Sequence, residues 1–296
     1  MAISEYDAFG PWIYEITAEH PLPPLFVPYV RDMGEPVMYF KIPRDIERRK
    51  ATPDMDLYDY VVSAYADRVQ ILTRVEHSVR ETVVPYADIL GVRLYRKFLN
   101  GVCTLYTARE RIEITFNTVS IGIMSAFVQY IRSQYEAGKP AGCGYRSAAV
   151  IPDAQLRDVL FVNLLRDLRD AGEEFQVGAF EQGGPLTLRK AGLRERLQQM
   201  LRPQSMMGAV HLFGDTELLV IEKEVPDART KEDKYGYQYT YLPVRNVHSV
   251  QIAESESYQN TTECRIGLGE HELPLLFHAD NQKGIRYYED LRAQIS

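Results

Sequence analysis

Between Asp56 and Asn117 apolar residues recur in short runs of period two, and after Ser120 the period lengthens to that of a helix. Arg111–Asn117 alternates without a fault, with Ile112, Ile114 and Phe116 on one side and Glu113, Thr115 and Asn117 on the other, which predicts a half-buried strand. Tyr58–Ala64, Val69–Val75, Arg80–Val84, Ile89–Leu94 and Val102–Tyr106 are further strand-like runs rich in Val, Tyr and Ile. Met124, Phe127, Val128, Ile131 and Tyr135 then fall at helical spacing, with Ser120 placed to cap the helix and Gly138 and Pro140 to stop it.

The same order returns after Ala209. Val210–Phe213, Leu218–Glu222, Tyr235–Leu242, Glu263–Leu268 and Leu273–Phe277 read as strands, with Pro226–Lys234 as a hydrophilic loop. A last helix begins near Asp280 or Asn281 and carries Ile285, Tyr288, Leu291 and Ile295. A motif ties the halves together. Val84-Pro85 with Asp88, Ile89, Val92 and Leu94 aligns without a gap, at an offset of 158 residues, on Leu242-Pro243 with Asn246, Val247, Val250 and Ile252. An apolar residue, Pro, an Asx and alternating β-branched residues mark a strand that ends at Pro, a tight turn and a new strand. Repetition of the whole series predicts two copies of one unit.

The remaining segments differ. Residues 1–55 hold Phe9, Trp12, Leu25 and Phe26 among prolines, as in Pro21–Pro28. A polyproline ligand for an SH3-like groove is one reading; the apolar content favours an extended strap packed on a domain of the chain. In residues 139–204, Asp153 is placed to cap a helix with Leu156, Val159, Leu160, Leu164 and Leu168 on one side, ending before Gly172. Leu193, Leu197 and Leu201 mark a shorter helix. The expected organisation is therefore a strap (1–55), a first β unit (56–138), a helical connector (139–204) and a second β unit (205–296), in an α+β, mainly β, chain.

A small antiparallel barrel or orthogonal sandwich closed by one C-terminal helix, with an apolar-Pro-x-x-Asp-Ile-x-x-Val run ahead of its last strands, resembles the bacterial pleckstrin-homology-like (PH-like) and GRAM-type domains. Val84-Pro85, Asp88-Ile89 and Val92 carry the resemblance in the first unit; Leu242-Pro243, Asn246-Val247 and Val250 carry it in the second, with Asn for Asp. The resemblance covers the two β units and implies binding of peptides, proteins or lipids without catalysis. Its lipid-binding members use a basic cluster in the loop between the first two strands. Here those loops are Ala66-Asp67-Arg68 and Gly214-Asp215, and one Arg cannot build a phosphate cradle. No phosphoinositide ligand is expected.

Composition narrows the classes. A formal charge of −7 argues against a nucleic-acid partner, since such affinity comes largely from Lys and Arg on phosphates. Cys103, Cys143 and Cys264 are widely spaced and odd in number, which fits a reducing, cytoplasmic setting and gives no zinc pattern. The N-terminus lacks the features of a signal peptide. Gly142-Cys143-Gly144 lacks the context of a phosphate loop, and no Gly-x-Ser-x-Gly occurs. His248, His271, Glu272 and His278 could form a metal site only if their strands were neighbours; surface histidines are the plainer account. No cofactor and no metal is expected. Two rival classes remain: an enzyme with a metal or acid–base site between the two β units, and a peripheral membrane protein.

Tyr235, Tyr237, Tyr239 and Tyr241 stand at period two on one face of a single strand. At the 158-residue offset the first unit has His77, Val79, Glu81 and Val83. The ladder is either a core face or a contact face for a protein or peptide partner, including a second copy of the chain. These four tyrosines are the candidate binding residues of a non-catalytic binding or scaffolding protein.

Overall fold

The computed structural model describes residues 4–31, 33–136, 150–152, 155–156, 158–189, 192, 204–224 and 236–295. The chain is mainly β, with several sheets and a few helices. It divides into two compact units, Met1–Ala137 and Gly138–Ser296.

The first unit opens with a short helix α1 (Glu5–Ala8) and β1 (Tyr14–Glu15), followed by β2 (Met38–Pro43), β3 (Tyr58–Ala64), β4 (Arg68–Val75) and β5 (Ser78–Pro85). These strands pair in sequence order, all antiparallel. Pro85 ends β5 as expected, and a single 3₁₀ turn, Tyr86–Asp88, leads into β6 (Ile89–Lys97). β6, β7 (Asn100–Thr107) and β8 (Arg111–Asn117) form an antiparallel meander, and α2 (Ile121–Glu136) closes the unit. Met124, Phe127, Val128, Ile131 and Tyr135, the stripe expected from the sequence, are all buried. Phe127 meets Phe40 of β2 edge to face, so the helix packs on the inner side of the β2–β5 sheet.

The other side of that sheet is covered by the N-terminal segment. Phe9, Phe26, Ala51 and Leu57 are buried with Tyr58, Val61 and Leu72, and Leu22, Leu25 and Tyr29 pack around them. Two features of this segment differ from the expected extended strap. Residues 38–43 are not strap but β2, a full member of the sheet, because Phe40 and Ile42 are needed in the core. Trp12 is about half exposed, lying over Gly10, where a Cβ would meet its ring at 2.4 Å. Lys41 is buried beneath the segment, donating from Nζ to the Pro21 carbonyl at 2.7 Å and lying 3.9 Å from a Glu5 carboxylate oxygen. Burial lowers the Lys41 pKa and raises that of Glu5.

The second unit begins with α3 (Val159–Asp170), β9 (Gln176–Glu181) and β10 (Gly184–Pro185). Asp158 caps α3, its carboxylate accepting from the Leu160 N–H at 3.0 Å. The later start rotates the buried stripe to Phe161, Leu164 and Leu165 and leaves Val159 exposed. The helix packs within its own unit: Phe161 meets Phe180 of β9 edge to face, and Asp158 pairs with Lys223. The positive φ of Gly172 follows the helix end. The helix expected around Leu193–Leu201, the Pro226–Lys234 loop, Asp153, Cys143 and Tyr235 lie outside the described residues.

β11 (Ser205–Met206) pairs with β10. β12 (Gly208–Phe213), β13 (Glu217–Lys223) and β14 (Tyr237–Pro243) follow, with β9 on the far side of β12. β9 therefore belongs to this antiparallel sheet and not to a helical connector. A 3₁₀ turn, Val244–Asn246, leads to β15 (Ser249–Glu254), β16 (Thr261–Leu268) and β17 (His271–His278), an antiparallel meander. α4 (Gln282–Ile295) ends the chain, with Tyr287, Tyr288 and Leu291 buried. Asn281 holds its first turn, Oδ1 accepting from the Gly284 N–H. Gly178 in β9 makes room for the helix: a Cβ there would lie 2.1 Å from the Tyr287 ring.

The two units repeat one pattern to the residue. Each has a four-stranded run (β2–β5; β9, β12, β13, β14), a Pro-terminated 3₁₀ turn, a three-stranded meander and a helix. Val62 faces Ile71 in one as His211 faces Val220 in the other. Leu94 faces Cys103 as Ile252 faces Cys264. Phe116 and Phe277 hold matching places on β8 and β17, and Phe127 and Tyr288 on α2 and α4. Both cysteines are buried and free. Burial pushes both thiols up to about 12, so they stay protonated and serve as small apolar groups.

Candidate functional site

Strand alternation sorts the second unit's four-stranded sheet into two faces. One carries Ala179, His211, Val220 and Thr240, one from each strand in register. It turns toward α4, because the His211 ring lies on Phe277 at 5.0 Å between centroids and against Tyr288 at 5.4 Å. The opposite face carries the row Phe180, Val210, Ile221 and Tyr239, with Tyr241 and Leu219 beside it and Tyr237 opposite Lys223. The tyrosine ladder therefore points away from the helix-capped core.

The rings form a continuous stack along β14. Tyr237 and Tyr239 meet edge to face at 5.9 Å, and Tyr239 and Tyr241 lie parallel at 6.2 Å, both within the favoured range for aromatic pairs. Tyr241 is buried, while Tyr237 and Tyr239 are half-buried. On the other side of the strand, Thr240 is buried and Gln238 donates to Glu222 at 2.5 Å. Gly236, Gln238 and Thr240 offer little bulk, and the core face is filled from β12 and α4 instead.

The histidines do not gather. His271 and His278 stand at opposite ends of β17, seven residues or roughly 23 Å apart along the strand. His248 Nδ1 accepts from the Gly269 N–H at 3.2 Å. His278 bonds Glu181, a buried carboxylate that also accepts from the His278 and Gly183 backbone and from Asn281. That network fastens the end of β9 to the start of α4. Among the described residues no group of three His, Cys, Asp or Glu is placed to hold a metal ion. In the first hairpin loop Arg68 is held by its neighbour Asp67, with bonds of 2.9 and 2.5 Å. No helix among the described residues is long and apolar enough to cross a membrane.

Sequence reasoning passed over His211. It is 1% exposed, its Nδ1 lies 2.7 Å from the Tyr288 hydroxyl, and its Nε2 has no hydrogen-bond partner. Burial pushes its pKa down to about 3, so the ring is neutral at ordinary pH. The sequence signal was weak: a polar residue inside an apolar strand, Ala209-Val210-His211-Leu212-Phe213. A cleft of about 390 Å³ borders it, between β12–β13 and the β16–β17 hairpin. No protein-family model matches the chain, and comparison with curated proteins gives no significant similarity.

Proposed function

We propose that the chain is a non-catalytic binding or scaffolding protein built from two PH-like domains, and that a segment of a protein partner seats on the tyrosine face of the second. The observation that carries the reading is the placement of Tyr237 and Tyr239: half-buried rings on the sheet face turned away from α4. Aromatic rings with a polar end are the residues that dominate protein contacts. A ladder on a sheet face suits an extended or helical segment, whereas small molecules take concave sites. The PH-like assignment draws on the four-strand, three-strand, helix order present twice. A protein ligand is preferred to a phosphoinositide because the Arg68 guanidinium is already engaged by Asp67, and Gly214-Asp215 brings no cation.

The double change Tyr237→Ser with Tyr239→Ser tests the reading. A contact face predicts a nearly unchanged melting temperature together with loss of co-purifying partners. A structural face predicts a loss of several kcal/mol, as for truncated buried aromatics. That loss, or unaltered partners, would end the proposal. Isothermal calorimetry with inositol hexakisphosphate is expected to show no saturable micromolar binding; tight binding would restore the lipid reading.

A further inference from the structure

The turn between β6 and β7 carries residues that its backbone does not favour. Lys97 pairs with Asn100, so Phe98 and Leu99 are the two turn residues, and Phe98 has a φ of +50°. A two-residue turn with a left-handed first position takes Gly, Asn or Asp there, because a bulky side chain strains the backbone. The other non-glycine residues at positive φ among those described are Glu76 and Asn260, both polar. Phe98 is 63% and Leu99 59% exposed, so the core of the unit does not hold them. In the second unit the matching connection, 255–260 between β15 and β16, reads Ser-Glu-Ser-Tyr-Gln-Asn. An apolar pair on a strained, outward turn points to a contact made outside the chain.

Neighbouring segments extend the patch. Thr118 donates from its N–H to the Leu99 carbonyl at 2.9 Å and from its hydroxyl to the Phe98 carbonyl, which brings Val119, 48% exposed, beside the turn. The Ile13 N–H donates to Ser120 Oγ at 2.9 Å, and Gly10 and Pro11 line one cleft with Leu99 and Asn100. Trp12, between Pro11 and Ile13, is half exposed. Four large apolar side chains thus share one end of the first unit. That end is also basic. Residues 44–50, whose Arg44 and Arg48 line the same cleft as Leu99, and residues 96–100 hold six cations against two carboxylates, in a chain of formal charge −7. The cations do not converge on a point: Arg48 lies over the Tyr6 ring, and Arg49 and Lys50 are tied to Glu47. They act through a summed field, which suits an extended negative surface rather than a single anionic group.

We propose that this end of the first unit docks on an anionic phospholipid bilayer, with Phe98 and Leu99 inserted at the interface and Trp12 and Val119 beside them. A protruding apolar turn enters a bilayer without a shaped partner pocket, aromatic rings favour the headgroup level, and flanking Lys and Arg favour anionic lipid. The contact requires no phosphate cradle, and it is independent of the tyrosine face, which lies in the second unit.

The test uses the full chain and reads the fluorescence of Trp12, its only tryptophan, excited apart from the tyrosines. Vesicles of phosphatidylglycerol and phosphatidylcholine in equal parts are expected to shift the Trp12 emission to the blue and to carry the protein down in sedimentation. Vesicles of phosphatidylcholine alone should bind at least about tenfold more weakly, and raised salt should weaken binding to the charged vesicles. Phe98→Gly with Leu99→Ser gives the turn residues that its backbone favours. Its melting temperature should not fall, while its binding to charged vesicles drops by about tenfold or more. The Tyr237→Ser, Tyr239→Ser protein should bind vesicles as the parent does, which keeps failure here distinct from failure of the partner reading. Undiminished binding by the folded turn variant would overturn the proposal, as would equal binding to neutral vesicles. No response to charged vesicles would also overturn it and leave the patch to a protein; an emission shift that grows with protein concentration alone would assign it to a second copy of the chain.

Discussion

In the first unit the outer face of the four-stranded sheet carries the row Lys41, Val61, Leu72 and Glu81; in the second the matching row is Phe180, Val210, Ile221 and Tyr239. The N-terminal segment covers Val61 and Leu72, and Glu81 is taken up by Gln70 and Arg31. In the second unit α3 lies on Phe180, and the row ends in half-buried tyrosines. The inner rows differ in the opposite sense. Phe40, Val62, Ile71 and Thr82 face Phe127 in the first unit, whereas Ala179, His211, Val220 and Thr240 face Tyr288 in the second. The bulky member moves from β2 to β12 and becomes polar, and its helix partner gains a hydroxyl to meet it. One register thus supports two chemistries, because the polar atom that enters the second row on His211 is met by the Tyr288 hydroxyl.

This comparison can be broken most forcefully at Phe127. Phe127→Ala removes a fully buried ring and should cost the first unit about 3–5 kcal/mol, visible as lowered protection in hydrogen exchange across β2–β8. Unaltered exchange there would mean that α2 does not close the core as described. A smaller effect is expected at the matching place in the second unit. Tyr288→Phe leaves both buried nitrogens of His211 without a described partner and should cost about 1–3 kcal/mol. Adding His211→Val, the first unit's residue, should recover much of that loss; a double variant no better than Tyr288→Phe alone would show that the pair is not coupled.

Acid offers a third separation. His211 is held in the fold at a pKa of about 3, below its ordinary value of 6.5. A depressed pKa means that its contribution to stability is complete above about 6.5 and is lost as the pH falls toward 3, when the unfolded chain binds a proton that the fold refuses. Between those limits the unfolding equilibrium of the second unit should shift by up to about tenfold per pH unit from this group alone. His211→Val should abolish that component, and an unchanged acid transition in the variant would contradict the assignment.

Much of the architecture was legible in the chain. Arg111–Asn117 and the buried stripe of α2 were read correctly because each has an unbroken period and a polar opposite face. The Pro-Asx motif was legible because Pro85 and Pro243 can only end their strands. β2 and β9 were missed: Met38–Pro43 lies beside prolines, and Gln176–Glu181 follows a helix in a segment without alternation. α3 starts later than expected because Asp158, which the sequence reading did not single out, caps it and Phe161 packs on Phe180. The tyrosine ladder could be seen but not oriented, since which side of β14 faces the core depends on what α4 and β12 contribute. His211 was invisible, because its burial against Phe277 and Tyr288 depends on the strand register and on the helix that closes the unit.

Tyrosine nitration with mass spectrometry, on the free chain and on the chain in its native complexes, tests the central claim most directly: one fold used twice, with the second copy's aromatic face given to a protein partner. In the free chain Tyr237 and Tyr239 are expected to react, while the buried Tyr58, Tyr287 and Tyr288 do not. In the complexes Tyr237 and Tyr239 should be protected at least several-fold, with the reactivity of Tyr60 in the first unit unchanged. Equal reactivity of Tyr237 and Tyr239 with and without partner, or no reaction at either in the free chain, would contradict the account.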